Sequence, residues 1–135
     1  MTRVLSFLIC LTIFSPLFSK WKKVIEGVNF TEYFEIDTVK KQEEIIYIWS
    51  MKDFKKLRED GNLSTKFYSV YDCNAMKYKI ISIINYKTNM GKGRDFKYEK
   101  NIMNDPTDLK WKSVKPESND MLRLSFVCGY KRNKK

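Results

Sequence analysis

The sequence predicts an α+β domain: an antiparallel, meander-like sheet of about five to six strands, a C-terminal α-helix packed on it, and one disulfide. Three observations lead there. Runs of β-branched and aromatic residues fill the middle of the chain, short polar turns separate them, and the apolar period changes to a helical one only after Pro116.

The strand signal is strongest at Ile45 to Met51, a run too apolar for an exposed element. Alternation puts Ile45, Tyr47, Trp49 and Met51 on one face and Ile46, Ile48 and Ser50 on the other. Phe67 to Cys73 reads as a second strand, with Phe67, Ser69, Tyr71 and Cys73 sharing a face. Lys77 to Tyr86 reads as a third, with Tyr78, Ile80, Ser82, Ile84 and Tyr86 opposite Ile81 and Ile83. Trp21 to Val24 and Glu32 to Ile36 are shorter candidates. Lys40 to Glu44 and Asn74 to Met76 read as tight turns, and Lys52 to Ser64 as a basic excursion around Gly61-Asn62. Gly91-Lys92-Gly93 marks a bend, and Asn101 to Thr107 a polar loop. After Pro116, Ser118 is placed to cap a helix with Asp120 in its first turn. Met121, Leu122, Ser125 and Phe126 recur at helical spacing, and Gly129 marks its end.

Residues 1–19 read as a secretory signal peptide, followed by one domain over 20–135. Arg3 supplies the positive start, Val4 to Phe14 is apolar except for Ser6 and Thr12, Pro16 breaks the run, and Ser19 offers a small residue for cleavage. The run is too short to cross a bilayer, which takes about 20 apolar residues. An uncleaved anchor is the alternative, and the bulky Leu17 leaves the cleaved bond open. Cleavage removes Cys10 and leaves Cys73 and Cys128. In an exported chain an even pair reads as a disulfide, with two buried thiols as the alternative. No integral membrane segment is expected after cleavage.

Composition narrows the chemistry. The chain has 26 Lys and Arg against 16 Asp and Glu, a net charge of +10, and no His. Without His the common general base, the serine and cysteine protease triads and most zinc sites are gone. Two cysteines 55 positions apart make neither a metal knuckle nor a redox pair. No cofactor or metal is expected. Asp72, set beside Cys73 in an apolar strand, is the one carboxylate out of keeping with its surroundings. It reads either as a turn-bonding group or as half of a hydrolase pair. Trp21, Trp49 and Trp111 lie among lysines and suit stacking on bases or sugars. Core packing is the plainer reading, above all for Trp49.

A series of landmarks carries a further signal. Trp21-Lys22-Lys23-Val24 is followed by Tyr33-Phe34, Thr38-Val39, Ile45 to Trp49, Asp53-Phe54 and Ser64-Thr65. Then come Tyr71-Asp72-Cys73, Tyr86, Met90-Gly91-Lys92-Gly93, Trp111, Pro116 and Val127-Cys128. In order and spacing the series resembles the bacterial surface-adhesin protein E-like family, over nearly the whole chain after the leader. It departs from the family pattern at Glu35, where an Asp is usual, and at Ser64-Thr65, where two serines are usual. The resemblance implies a sheet with a helix packed on it, a Cys73–Cys128 disulfide and dimer formation. It also implies a periplasmic or cell-surface location and adhesion to host extracellular proteins.

The expected function is a non-enzymatic envelope protein whose basic surface contacts acidic macromolecules or host proteins. Lys52, Lys55, Lys56 and Arg58 in the first long loop are the leading contact candidates, followed by Lys92, Arg94 and Lys97 near the glycine bend. An accessory protein acting by strand addition or as a homodimer is the alternative.

Overall fold

β-branched and aromatic residues at alternating positions make the central strands long, and the polar breaks between them let the chain reverse so that neighbours pair antiparallel. The structure, a computed structural model, describes residues 21–101 and 110–130. The leader, the loop beyond Asn101 and the tail at Lys131 to Lys135 lie outside them. The strands are β1 (Trp21–Glu26), β2 (Phe30–Glu35), β3 (Lys40–Gln42), β4 (Ile45–Phe54), β5 (Ser64–Asp72), β6 (Lys77–Tyr86), β7 (Phe96–Asn101) and β8 (Lys112–Ser113). Helix α1 spans Asn119–Tyr130.

All pairings are antiparallel, in the order β1-β2-β4-β5-β6-β7, with β3 added to β4 and β8 to β6. The meander is as expected, but eight strands form among the described residues where about five to six were read. Lys40 to Gln42, polar and read as turn, pairs with Ile45 to Tyr47 as an exposed edge piece. The strand β4 runs on through Lys52 and Asp53 to Phe54, so the excursion begins three residues later than its charges suggested.

The sheet has two unlike faces. Helix α1 lies on one, and between them Phe34, Ile46, Ile48, Tyr71, Val114, Leu124 and Val127 form the core. Ser118 caps the helix: its Oγ accepts from the Met121 amide at 3.2 Å. The buried stripe is Leu124 and Val127 flanked by Met121 and Cys128, while Leu122 is 55% exposed. Of the expected Met121, Leu122, Ser125 and Phe126, Met121 and Phe126 pack on the core, Phe126 against Phe34 at 5.4 Å, while Leu122 and Ser125 face solvent. The Cys128–Cys73 bond lies on the core side of the helix.

A β-bulge alters the other expectation. Tyr68 pairs with Ser82 and Ser69 with Ile80, leaving Ile81 as an extra residue in β6. Tyr78 and Ile80 therefore face the helix, whereas Ser82, Ile84 and Tyr86 turn to the opposite face. Strict alternation had kept all five together.

The bond joins residues 55 apart, with Cα atoms separated by 5.8 Å. Closing a loop of that length stabilises a fold by about 4 kcal/mol on the chain-entropy account. The Cys73→Ser, Cys128→Ser pair is expected to lose about that much in denaturant unfolding. A loss below ~1 kcal/mol would mean that packing alone seats the helix.

Candidate functional site

Arg123 of α1 reaches back to the sheet, because the turn of helix that buries Leu124 aims the preceding residue at β2. Its Nη2 donates to Glu32 Oε2 at 2.7 Å, its Nε to the same carboxylate at 2.9 and 3.0 Å, and its Nη1 to Asp120 Oδ1 at 2.8 Å. Tyr78 donates to the other Asp120 oxygen at 3.2 Å. Glu32 is 2% exposed. Burial works against the Arg123 charge, yet the bonds to Glu32 and Asp120 outweigh it and raise the guanidinium pKa.

Beside this bracket, between helix and sheet, lies a cleft of about 220 Å³ lined by Ser50, Lys52, Phe67, Ser69 and Ile80 as well as the ionic groups. Lys52, directly opposite Glu32 across β2 and β4, packs its ammonium over the rings of Phe30 (4.9 Å) and Phe67 (5.6 Å). Burial lowers its pKa, with the Glu32 charge opposing that shift in part.

The sequence-selected basic residues divide in two. The hairpin loops β1–β2, β4–β5 and β6–β7 lie at one end of the sheet and are bonded to one another. The Lys55 amide donates to Asn29 O, the Leu63 amide to Tyr86 O, and Lys87 Nζ to Asp60 O. Asp53 fastens the last loop, accepting from the Met90 amide at 2.7 Å and Asn89 Nδ2 at 3.0 Å. This end carries exposed Lys55, Lys56, Arg58, Lys92 and Arg94. Lys55 pairs with Glu26 at 2.8 Å and Arg58 with Asp60 at 3.5 Å. Lys52 and Lys97 stand apart. Lys52 sits in β4 inside the cleft, and Lys97 lies in β7 on the face away from Phe96 and Tyr98.

Asp72 Oδ1 accepts from the amides of Asn74 (3.1 Å) and Ala75 (2.9 Å), which commits it to shaping the β5–β6 turn. Among the described residues no group of three or more His, Cys, Asp or Glu stands close enough to hold a metal. None of the described helices is long and apolar enough to cross a membrane.

The face without the helix is the feature that residue-by-residue reading missed. Trp49 is not in the core: it is half-buried there, stacked on Tyr68 at 4.8 Å. Trp21 and Trp111 are half-buried on the same face. The signal was available in the alternation, which already set Trp49 opposite Ile46 and Ile48.

The family model for surface-adhesin protein E matches residues 21–129. The chain belongs to that family. No curated protein sequence matches it. Solved structures of Haemophilus influenzae protein E share the fold. Crystal form II is 13% identical over 81% of this chain and 87% of that one, with a TM-score of 0.61. The selenomethionine form is 12% identical over 81% and 85%, at 0.60. Protein E from a non-typeable Haemophilus influenzae is 14% identical over 88% and 82%, at 0.58. At such identity the likeness establishes the architecture, including the helix on one face, and the family match establishes a surface-adhesin relationship.

Two outcomes follow from the helix-side geometry. Arg123→Ala strands the buried Glu32 charge and is expected to cost about 3–5 kcal/mol in denaturant unfolding, whereas a joint Glu32→Leu, Arg123→Met change costs far less. Lys52 titrates lower in the folded chain than its ordinary 10.5. Between those values the unfolded chain binds more protons, so stability rises as pH climbs through the window. Lys52→Met should therefore melt higher than the parent at neutral pH, with the gap narrowing toward pH 10.5. A variant that melts lower at neutral pH contradicts this.

Proposed function

We propose that the chain is an exported, non-enzymatic adhesin-like protein of a bacterial envelope that binds acidic macromolecules through its basic loop end. The observation that carries the reading is the joining of three hairpin loops, which gathers Lys55, Lys56, Arg58, Lys92 and Arg94. Local pairing does not cancel the field. With 26 basic and 16 acidic residues, ten positive charges remain over the whole chain however the pairs are drawn. Family membership supports a role at the surface, and the leader-like residues 1–19 support export. Host extracellular proteins with acidic surfaces and acidic envelope polymers are the partner classes this chemistry suits.

A second reading rests on β7, the last strand of the sheet path, where Phe96 and Tyr98 are 46% and 53% exposed. Such an edge suits strand addition or a homodimer. A mass that rises with concentration would favour it.

Binding to an immobilised acidic polymer should fall at least about tenfold between roughly 50 and 200 mM salt. The Lys56→Gln, Arg58→Gln, Arg94→Gln variant should flatten that dependence. Salt-independent binding, or equal binding to a neutral polymer, would contradict a basic contact surface.

A further inference from the structure

We propose that the helix-free face of the sheet is a platform for an acidic oligosaccharide, whose sugar rings stack on its tryptophans while its carboxylate or sulfate groups meet Lys66, Lys77 and Lys79. The proposal extends the binding-protein reading by naming a ligand class and a second surface, away from the loop end.

The placement of the tryptophans comes first. The chain has three, drawn from β1, from β4 and from the residue before β8, far apart in sequence. Each is half-buried, and all three lie on the face without the helix. Pairing requires this. Trp21 stands opposite Glu35, Trp49 opposite Tyr68, and the lysines under Trp111 opposite Val70 and Asp72, on the side away from Tyr71 and Tyr78. Strands lie about 4.8 Å apart and same-face residues recur roughly every 7 Å along them. The rings are thus set along one face of the sheet, with a shallow cavity where those of β1, β4 and β6 converge.

Charge is interleaved with the rings. Lys66 holds its ammonium 5.7 Å from the Trp21 ring centre and 5.1 Å from that of Tyr86. Lys77 and Lys79 lie 5.0 and 4.4 Å from that of Trp111. Partial burial lowers the Lys66 pKa, so an arriving anion would regain charge stabilisation that the free protein lacks. Gly91 permits the posture: at φ +57° its missing Cβ would fall 2.4 Å from Lys66 Cε.

Between Trp21, Trp49, Tyr86 and Ile84 is a shallow cavity of about 270 Å³ with Lys66 and Glu35 at its walls. A cation and a carboxylate beside aromatic rings match a ligand bearing both anionic groups and hydroxyls. Glu35, which already accepts from Thr38 Oγ1 at 3.1 Å, keeps the cavity polar beside Lys66, and membership of a surface-adhesin family favours a cell-surface glycan over a nucleic acid as the anionic partner. Charge also weighs against a second copy. A two-fold interface on this patch would bring the same lysines together and desolvate them.

The test is titration with a sulfated, uronate-containing octasaccharide, read by tryptophan emission and by calorimetry, beside neutral maltooctaose and single-stranded dT8. The octasaccharide should quench and blue-shift the emission, maltooctaose should bind at least tenfold more weakly, and dT8 should not compete. Trp49→Ala, and separately Lys77→Gln with Lys79→Gln, should each weaken binding about tenfold with the disulfide intact, and the lysine pair should do so with melting as in the parent. Lys115→Gln, beyond the platform, should change it less than twofold. Unchanged octasaccharide affinity in both face variants would overturn the proposal. So would equal binding of dT8, or a concentration-dependent mass abolished by Trp49→Ala, which would make a second copy the occupant. If the loop-end variant alone removes binding, only the platform fails. If no acidic polymer or oligosaccharide is held at any salt, the basic-surface reading fails as well.

Discussion

The helix is tied to one face of the sheet at two points, and those ties govern what the remaining surface can be. Cys128 is bonded to Cys73 at the end of β5, and one turn earlier Arg123 grips Glu32 of β2. A covalent tie alone would leave the helix free to swing about one end. The guanidinium, shared between a carboxylate on the sheet and one on its own helix, fixes the direction as well. The twelve-residue helix then covers Phe34, Ile46 and Ile48 and has no reach to the other side.

The consequence is an asymmetric domain. One face is closed by a single core with an ionic bracket at its margin, and Lys52 sits beside that bracket at some cost to stability. The other face has no helix over it and sets partly buried tryptophans and the buried Tyr86 beside lysines. Polar side chains hold the rim together: Asp53 and Ser64 fasten the β6–β7 loop, and Ser64 Oγ accepts from the Gly91 amide at 2.8 Å. The loops that carry the exposed basic residues are therefore anchored at their bases while their tips project into solvent.

Much of the fold was legible because it rests on local rules. Alternation over Ile45 to Met51, the Asn74 to Met76 turn, the Ser118 cap and the cysteine pair each carried their own signal, and the structure bears them out. What escaped depends on partners distant in sequence. Lys40 to Gln42 is a strand only because β4 offers it an edge. Ile81 is a bulge only because β5 is one residue short against it. Trp49 looked like core because an apolar run was taken as buried throughout, yet on the face without the helix burial is uneven: Met51 and Val70 are fully buried while Trp49 is only partly so. The basic candidates divided on the same ground: those on loops gathered at one end, and those inside strands, Lys52 and Lys97, followed the pleat.

The central claim is that the uncovered face, and not the helix-side cleft, receives the ligand. The most direct measurement is a proton–nitrogen correlation spectrum of the disulfide-bonded protein, following the three tryptophan indole signals and the Arg123 side chain as the sulfated octasaccharide is added. The account expects the indole signals to shift progressively and saturate together while Arg123 Nε–H stays in place. Stationary indoles with a moving Arg123 signal would place the ligand between helix and sheet and contradict it.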